Sequence, residues 1–227
     1  MADQTTRIYM VRHGETQLSA EDRFAGAVDV ELSGEGRFQA ERLAERLADD
    51  SIRAVYCSPL TRTVQTATIL AGPHQLPLVH EDGLREIHHG HWEGMRRVDV
   101  ESEFPEEYAA WEEDPFTFAP QGGEAGVNVI ARALPVIRKV VLEHRGQNVI
   151  VVSHKATLRL LISSLLGFDA RGYRDRLDQL PACLNVIDFK DPVRARLMLF
   201  NDVSHYTDHP QRSSARLSKW WDNSKES

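Results

Sequence analysis

Short apolar runs of strand length alternate with longer segments of helical period along most of this 227-residue chain, and that alternation restricts the fold more than any other feature. The strand-like runs lie near 7–12, 52–57, 76–80, 148–153, 183–189 and 195–200. Strands separated by helices are joined by crossovers, which lay parallel strands side by side and cover both faces of the sheet. The pattern predicts an α/β fold of three layers, a mainly parallel sheet flanked by helices. With 41% apolar and 27% charged residues, the chain is enough for one sizeable core. A single domain over 1–205 is expected, followed over 206–227 by a polar, mobile tail that carries an isolated Trp220-Trp221 pair.

Local signals place the helices. Ser33 is positioned to cap a helix with Phe38, Leu43 and Leu47 at helical spacings. Ser58 followed by Pro59 reads as an N-cap and first helical position. Two more helices are expected over 126–144 and 156–166, the second ended by Gly167. Between Glu86 and Gly126 the periodicity breaks into pieces rich in His, Trp, Glu, Pro and Gly, which reads as an irregular insertion covering the crevice.

Charge and composition exclude several classes of partner. A net charge of −7 argues against a nucleic-acid or acidic-membrane surface, because either needs a basic face. The two cysteines, Cys57 and Cys183, lie in apolar runs and read as small buried hydrophobes. The N-terminus is polar, and no apolar run approaches the roughly 18 residues that span a bilayer. A reduced, cytoplasmic protein is expected, neither exported nor embedded in a membrane.

In an open α/β sheet the C-terminal ends of the strands face the ligand crevice. Arg12-His13-Gly14-Glu15-Thr16 sits at such an end, placing a histidine beside an arginine where an anion would lie; a strand-end histidine without a role is the plainer alternative. Arg62 lies in the first turn of the helix after the second strand, and His154 follows the run 149–153 directly before a helix. Two histidines and two arginines from three strand ends suit one phosphate dianion, since arginine forks match phosphate oxygens bidentately. Positive charge absent from the chain as a whole is thereby gathered locally.

Those residues belong to four separated motifs: Arg12-His13-Gly14-Glu15-Thr16; Ser58-Pro59-Leu60-Thr61-Arg62 with Thr66-Ala67; Leu84-Arg85-Glu86 with Gly90, Trp92, Glu93 and Gly94; and Ser153-His154. In order and spacing, over about 7–205, the chain resembles the histidine phosphatase superfamily, in the branch that includes cofactor-dependent phosphoglycerate mutases and many small phosphatases. The resemblance implies a phosphoglycerate mutase-like fold. It makes His13 the nucleophile that receives the phosphoryl group, Arg12, Arg62 and His154 the groups that hold it, and Glu86 the general acid. Neutral imidazole is an adequate nucleophile, and phosphoryl transfer needs mainly positioning and charge stabilisation. A substrate dianion beside Glu86 favours the protonated carboxyl by like-charge repulsion. No metal or other cofactor is implied.

Departures from the family pattern bear on which activity survives. Leu18-Ser19 stands where the mutases especially carry Trp-Asn, the residues after Glu86 follow the phosphatase branch, and Lys155 replaces the glycine most often found after the second histidine. The expected activity is a metal-independent phosphomonoesterase acting on a small phosphorylated metabolite through a phosphohistidine. The alternatives are a mutase primed by 2,3-bisphosphoglycerate, disfavoured by the short cover, and a silent phospholigand-binding regulator, disfavoured because the expected site residues are all present. Ser19, Arg85 and Lys155 are candidates for the substrate rim, although Arg85, Lys155 and Arg159 read first as surface side chains. His88, His89 and His91 read as rim contacts or solvated loop rather than as metal ligands. Oligomeric state is left open.

Overall fold

The computed structural model describes residues 5–208. In chain order the elements are β1 (Thr6–Arg12), α1 (Gln17–Ala20), α2 (Gly34–Leu47), β2 (Ile52–Cys57), α3 (Thr61–Ala71), β3 (Leu78–His80), α4 (Arg97–Glu103), α5 (Pro105–Glu113), α6 (Gly126–Glu143), β4 (Asn148–Ser153), α7 (Lys155–Leu166), α8 (Tyr173–Arg176), β5 (Leu184–Phe189) and β6 (Ala195–Asp202). The strands form one sheet in the order β3-β2-β4-β1-β5-β6. The first four in that order are mutually parallel, whereas β5 runs antiparallel to β1 and β6 antiparallel to β5. The sheet is therefore mixed: β5 is reversed against β1, and a short turn and not a helix joins it to β6.

Period-two alternation along the central strands sorts the core into two layers. Ile8, Met10, Val149 and Val151 face α6 and α7, where Ile137, Val140, Leu158 and Leu161 are buried. Tyr9, Val11, Ile150 and Val152 face α2 and α3, against Leu43, Leu47, Ala67 and Leu70. Burial on both faces explains why these strands read as continuous apolar runs. Each such side chain contributes roughly 1.5–3 kcal/mol by leaving water.

Three local expectations are corrected. Phe38 does not join the core face of α2 and is 46% exposed. The buried stripe is Ala40, Leu43, Ala44 and Leu47, and Phe38, five residues before Leu43, lies about 140° around the helix from it. Ser33 does cap α2, accepting the Gly36 N–H at 3.0 Å. Ser58, by contrast, is not an N-cap: α3 begins at Thr61 with Leu60 as its cap. The insertion is also less irregular than expected. Its helices α4 and α5 are too short for periodicity to reveal, and they wrap the fully buried Trp92 together with Val100, Tyr108 and Trp111. The Trp92 and Trp111 rings meet at right angles with centroids 5.8 Å apart.

At its C-terminus, α7 stops at Gly167, whose φ of 73° gives the left-handed cap. The polar tail expected over 206–227 lies outside the described residues from 209 onward, Trp220-Trp221 included. Before that point Tyr206 is anchored, its hydroxyl donating to Pro181 O at 2.8 Å. Among the described residues no helix is long and apolar enough to cross a membrane.

The turn after β1 is clamped against the start of α2. A Cβ on Gly14 would lie 2.3 Å from Gly36 O, and one on Gly36 would lie 2.1 Å from Glu15 O. Gly36→Ala is expected to lower unfolding free energy by about 1–3 kcal/mol or more through this overlap. Gly34→Ala, two residues earlier with nothing within 4 Å, is expected to be neutral or slightly stabilising. Urea unfolding of the two variants checks the contrast.

Candidate active site

β1 and β4 are paired in register with Arg12 opposite Ser153, so the chain leaves the sheet at adjacent points as His13 and His154. The His13 N–H donates to Ser153 O at 3.1 Å, and the two imidazoles meet edge to face with centroids 5.2 Å apart. β2 ends beside β4, and the Ser58 N–H donates to Val152 O at 3.1 Å. Three strand ends thus converge under one cavity of ≈ 190 Å³, whose wall includes Arg12, His13, Arg62 and Glu86.

Hydrogen bonds set the two rings. His13 Nδ1 lies 2.7 Å from Gly14 O, so that nitrogen carries the proton and Nε2 keeps its lone pair. His154 Nε2 lies 2.8 Å from Ser58 Oγ. That hydroxyl accepts the Leu60 N–H at 3.4 Å, leaving its own proton free to donate to Nε2. His154 Nδ1 has no hydrogen-bond partner among the described residues. Ser58 is a site residue that sequence reasoning assigned to helix capping instead. Its partner lies 96 positions away, and no local signal marks it.

The guanidinium groups are buried against carbonyls. Arg62, 1% exposed, donates to Val28 O at 2.7 Å and Gly26 O at 2.8 Å. Arg12 donates to Gln179 O at 2.6 Å. The Nε of each has no partner among the described residues. Burial lowers both from the ordinary arginine value without taking away their charge. The same burial, with Arg62 and Arg12 alongside, holds His13 well below the ordinary histidine value. His154 is lowered likewise by burial, Arg62 and His13. Both imidazoles are neutral at pH 7.

Glu86 is seated on the first turn of α7. Its Oε1 accepts the Ile87 N–H at 3.0 Å and the Thr157 N–H at 3.1 Å, whereas Oε2 meets one donor, the Ala156 N–H at 3.1 Å. Oε2 therefore keeps a lone pair for a proton. Arg132 fixes the backbone behind it, donating to Gly83 O and Arg85 O at 2.8 Å and to Glu86 O at 3.1 Å while paired with Glu124. Thr157 and Arg132 escape sequence reasoning because each acts across more than 40 positions.

The remaining candidates divide. Ser19 and Lys155 line the cavity, as does His89. Ser19 Oγ also accepts the Thr16 N–H at 2.9 Å in the capping box of α1. Arg85 does not reach the rim: its side chain is turned outward to Asp82 at 2.8 Å, and only its carbonyl serves the site. Arg159 is not a surface side chain; it is 4% exposed and lines the cavity. His88 accepts the Gly90 N–H at 2.9 Å, and His91 stacks on Phe104 at 4.5 Å. Among the described residues no cluster of three His, Cys, Asp or Glu could hold a metal ion.

Two buried neutral histidines make stability depend on pH. Their folded-state values lie below the unfolded value near 6.5, so below pH 6.5 the unfolded chain takes up protons that the folded chain refuses. The slope approaches about 1.4 kcal/mol per pH unit only well below 6.5, and between pH 6.5 and 5.5 each histidine costs about 1 kcal/mol in all. His13→Asn, which retains a donor for Gly14 O, is expected to flatten the fall in unfolding free energy between pH 6.5 and 5.5 by that amount. Urea titrations at the two pH values measure it.

Comparison with known proteins accords with this geometry. The family described as the histidine phosphatase superfamily (branch 1) matches residues 8–203. Phosphoserine phosphatase 1 of Hydrogenobacter thermophilus is 36% identical over 163 residues, 72% of this chain and 77% of that protein. Glucosyl-3-phosphoglycerate phosphatase of Mycolicibacterium vanbaalenii is 34% identical over 168 residues, 71% and 74% of the two chains. The solved structure of Bacillus stearothermophilus YhfR superposes with a TM-score of 0.82 at 31% identity, covering 88% of this chain and 98% of that one. The chain therefore belongs to the histidine phosphatase superfamily, branch 1, and is a phosphoric monoester hydrolase of that family.

Proposed function

We propose that the protein hydrolyses a small phosphorylated metabolite by way of a phosphoryl group carried on His13. The observation that carries this reading is the neutral His13, with its Nε2 lone pair free, beside two buried guanidinium groups that bond to carbonyls and form no ion pair with a carboxylate among the described residues. Nε2 attacks phosphorus as the ester P–O bond breaks. Arg12 and Arg62 take up the charge on the non-bridging oxygens, and their pre-set positions spare any reorganisation at the moment of transfer. His154, in the tautomer whose Nε2 accepts from Ser58, offers its Nδ1–H as a further donor.

The departing alkoxide takes its proton from Glu86 Oε2. The resulting carboxylate then removes a proton from water, whose oxygen attacks the phosphohistidine. The P–N bond breaks, inorganic phosphate leaves, and His13 returns to its neutral form with the Nδ1–H to Gly14 O kept throughout. Charge neutralisation falls to arginine in this scheme, so no metal ion takes part. One domain over 1–205 carries the whole site. Both cysteines are free and buried, which supports a reducing, cytoplasmic setting.

Leaving-group dependence tests the role of Glu86. Glu86→Gln is expected to lower kcat/KM about 10²- to 10³-fold on an alkyl phosphate such as glycerol 3-phosphate, whose alkoxide needs the proton. The loss on p-nitrophenyl phosphate, whose phenolate leaves unprotonated, is expected to stay below about tenfold. Both substrates are expected to be hydrolysed at full rate in EDTA. Equal losses on the two substrates would remove Glu86 from the acid role.

A further inference from the structure

The two carbonyls that hold Arg62 belong to one short loop, and that loop is fastened to the insertion over the crevice. Gly26 O and Val28 O accept from Arg62 Nη2 and Nη1 at 2.8 and 2.7 Å. At the start of the same loop the Phe24 N–H donates to Met95 O at 3.0 Å, and the Gly94 N–H donates back to Phe24 O at 2.8 Å. Arg23 Nη1 adds a bond to Gly94 O at 2.9 Å.

The Glu93 carboxylate sits on the far side of this loop from Arg62, and its side chain is only 14% exposed. Its Oε1 accepts the Ala27 N–H at 2.8 Å and the His89 N–H at 3.1 Å. Ala27 N and Gly26 O are the two polar atoms of one planar peptide and point to opposite sides of it. Glu93 meets one side and Arg62 the other, so fixing the N–H fixes the direction of the carbonyl. The approach is close: a Cβ on Gly26, whose φ is 45°, would lie 2.0 Å from Glu93 Oε1. No lysine or arginine pairs with Glu93 among the described residues. His88 Nδ1 lies 3.7 Å from the same oxygen but accepts the Gly90 N–H at 2.9 Å, so it has no proton to offer. The carboxylate is therefore spent on backbone amides. Burial pushes Arg62 down from the ordinary arginine value, and Glu86, Asp29 and Glu93 act against it.

We propose that Glu93 is a positioning residue for phosphate binding: by holding the Gly26–Ala27 peptide it sets the direction of the Arg62 guanidinium. The role rests on the phosphate site read at His13, Arg12 and Arg62. An arginine fork is rigid, so with Nη1 and Nη2 committed to Val28 O and Gly26 O its plane is set, and Nε is left without a partner on a side chain that lines the cavity. Rotation of the peptide would release Nη2, and a misplacement of about 1 Å costs on the order of 10²-fold in rate. The insertion thereby acts on the phosphate site through one carboxylate.

Three substitutions separate the reach of Glu93 from its charge. Glu93→Gln keeps an oxygen for the Ala27 N–H without the charge, Glu93→Asp keeps the charge but draws the oxygen back by about 1.5 Å, and Glu93→Ala removes both. The readouts are the calorimetric Kd for inorganic phosphate and kcat/KM on p-nitrophenyl phosphate. Glu93→Gln is expected to stay within about threefold of the wild type in both, and Glu93→Asp and Glu93→Ala to lose at least about tenfold. In an Arg62→Ala background the further loss from Glu93→Asp is expected to shrink below about twofold, because the residue it acts through is gone. Where circular dichroism shows Glu93→Ala unfolded, the contrast between Gln and Asp decides alone. Wild-type values in Glu93→Asp, a loss in Glu93→Gln as large as in Glu93→Asp, or an Asp loss undiminished in Arg62→Ala each overturns the role while leaving hydrolysis standing. The expected ranking of phosphate Kd in a protein that hydrolyses no phosphomonoester supports the role and overturns the hydrolytic reading instead.

Discussion

The parallel pairing of β1 with β4 is the constraint on which the site depends. With Arg12 opposite Ser153, the next residue on each strand is a histidine, and the two rings meet without any loop having to carry them together. A slip of one residue in that register would send His13 and His154 to opposite faces of the sheet and turn Ile8 and Met10 out of their layer. The apolar layers on both faces forbid such a slip. Catalytic geometry is therefore maintained by core burial.

Around the strand ends, charge is deliberately left unanswered. Arg12 and Arg62 lie against carbonyl oxygens, and Lys155 and Arg159 divide one carboxylate between them. In a chain of net charge −7 this is a local inversion, maintained by burial that also keeps both imidazoles neutral. A phosphate dianion is the charge that complements this local positive field. Support comes from a ring of partners: Ser58 behind His154, Gln179 behind Arg12, and Arg132 behind Glu86. Gln179 is itself locked by reciprocal amide bonds to Asn185 at 2.8 and 2.9 Å, tying Arg12 to β5.

What was legible in the sequence is what acts locally. Continuous apolar runs mark doubly covered strands, Ser33 and Gly167 mark helix ends through their own backbone geometry, and residues following apolar runs mark the crevice. Groups acting across long separations left no local trace. Ser58 looked like a cap because Ser-Pro starts many helices, yet its hydroxyl serves His154. Arg159 looked like surface because a lone arginine on a helix usually is, and only the packing of α7 beside Asp178 draws it inward. Phe38 looked like core until the stripe of smaller alanines displaced it. The cover is ordered by aromatic packing around Trp92, which has no period to read.

The central claim is that His13 Nε2 carries the phosphoryl group, and a rapid acid-and-base quench with a ³²P-labelled ester tests it most directly. The account predicts label that is stable in base, lost in mild acid, mapped to His13 and formed in a burst faster than steady-state release of phosphate or at the same rate. Phosphate released by the folded wild-type protein with no label on His13 at any quench time, or release that persists at the wild-type rate in His13→Asn, would contradict it.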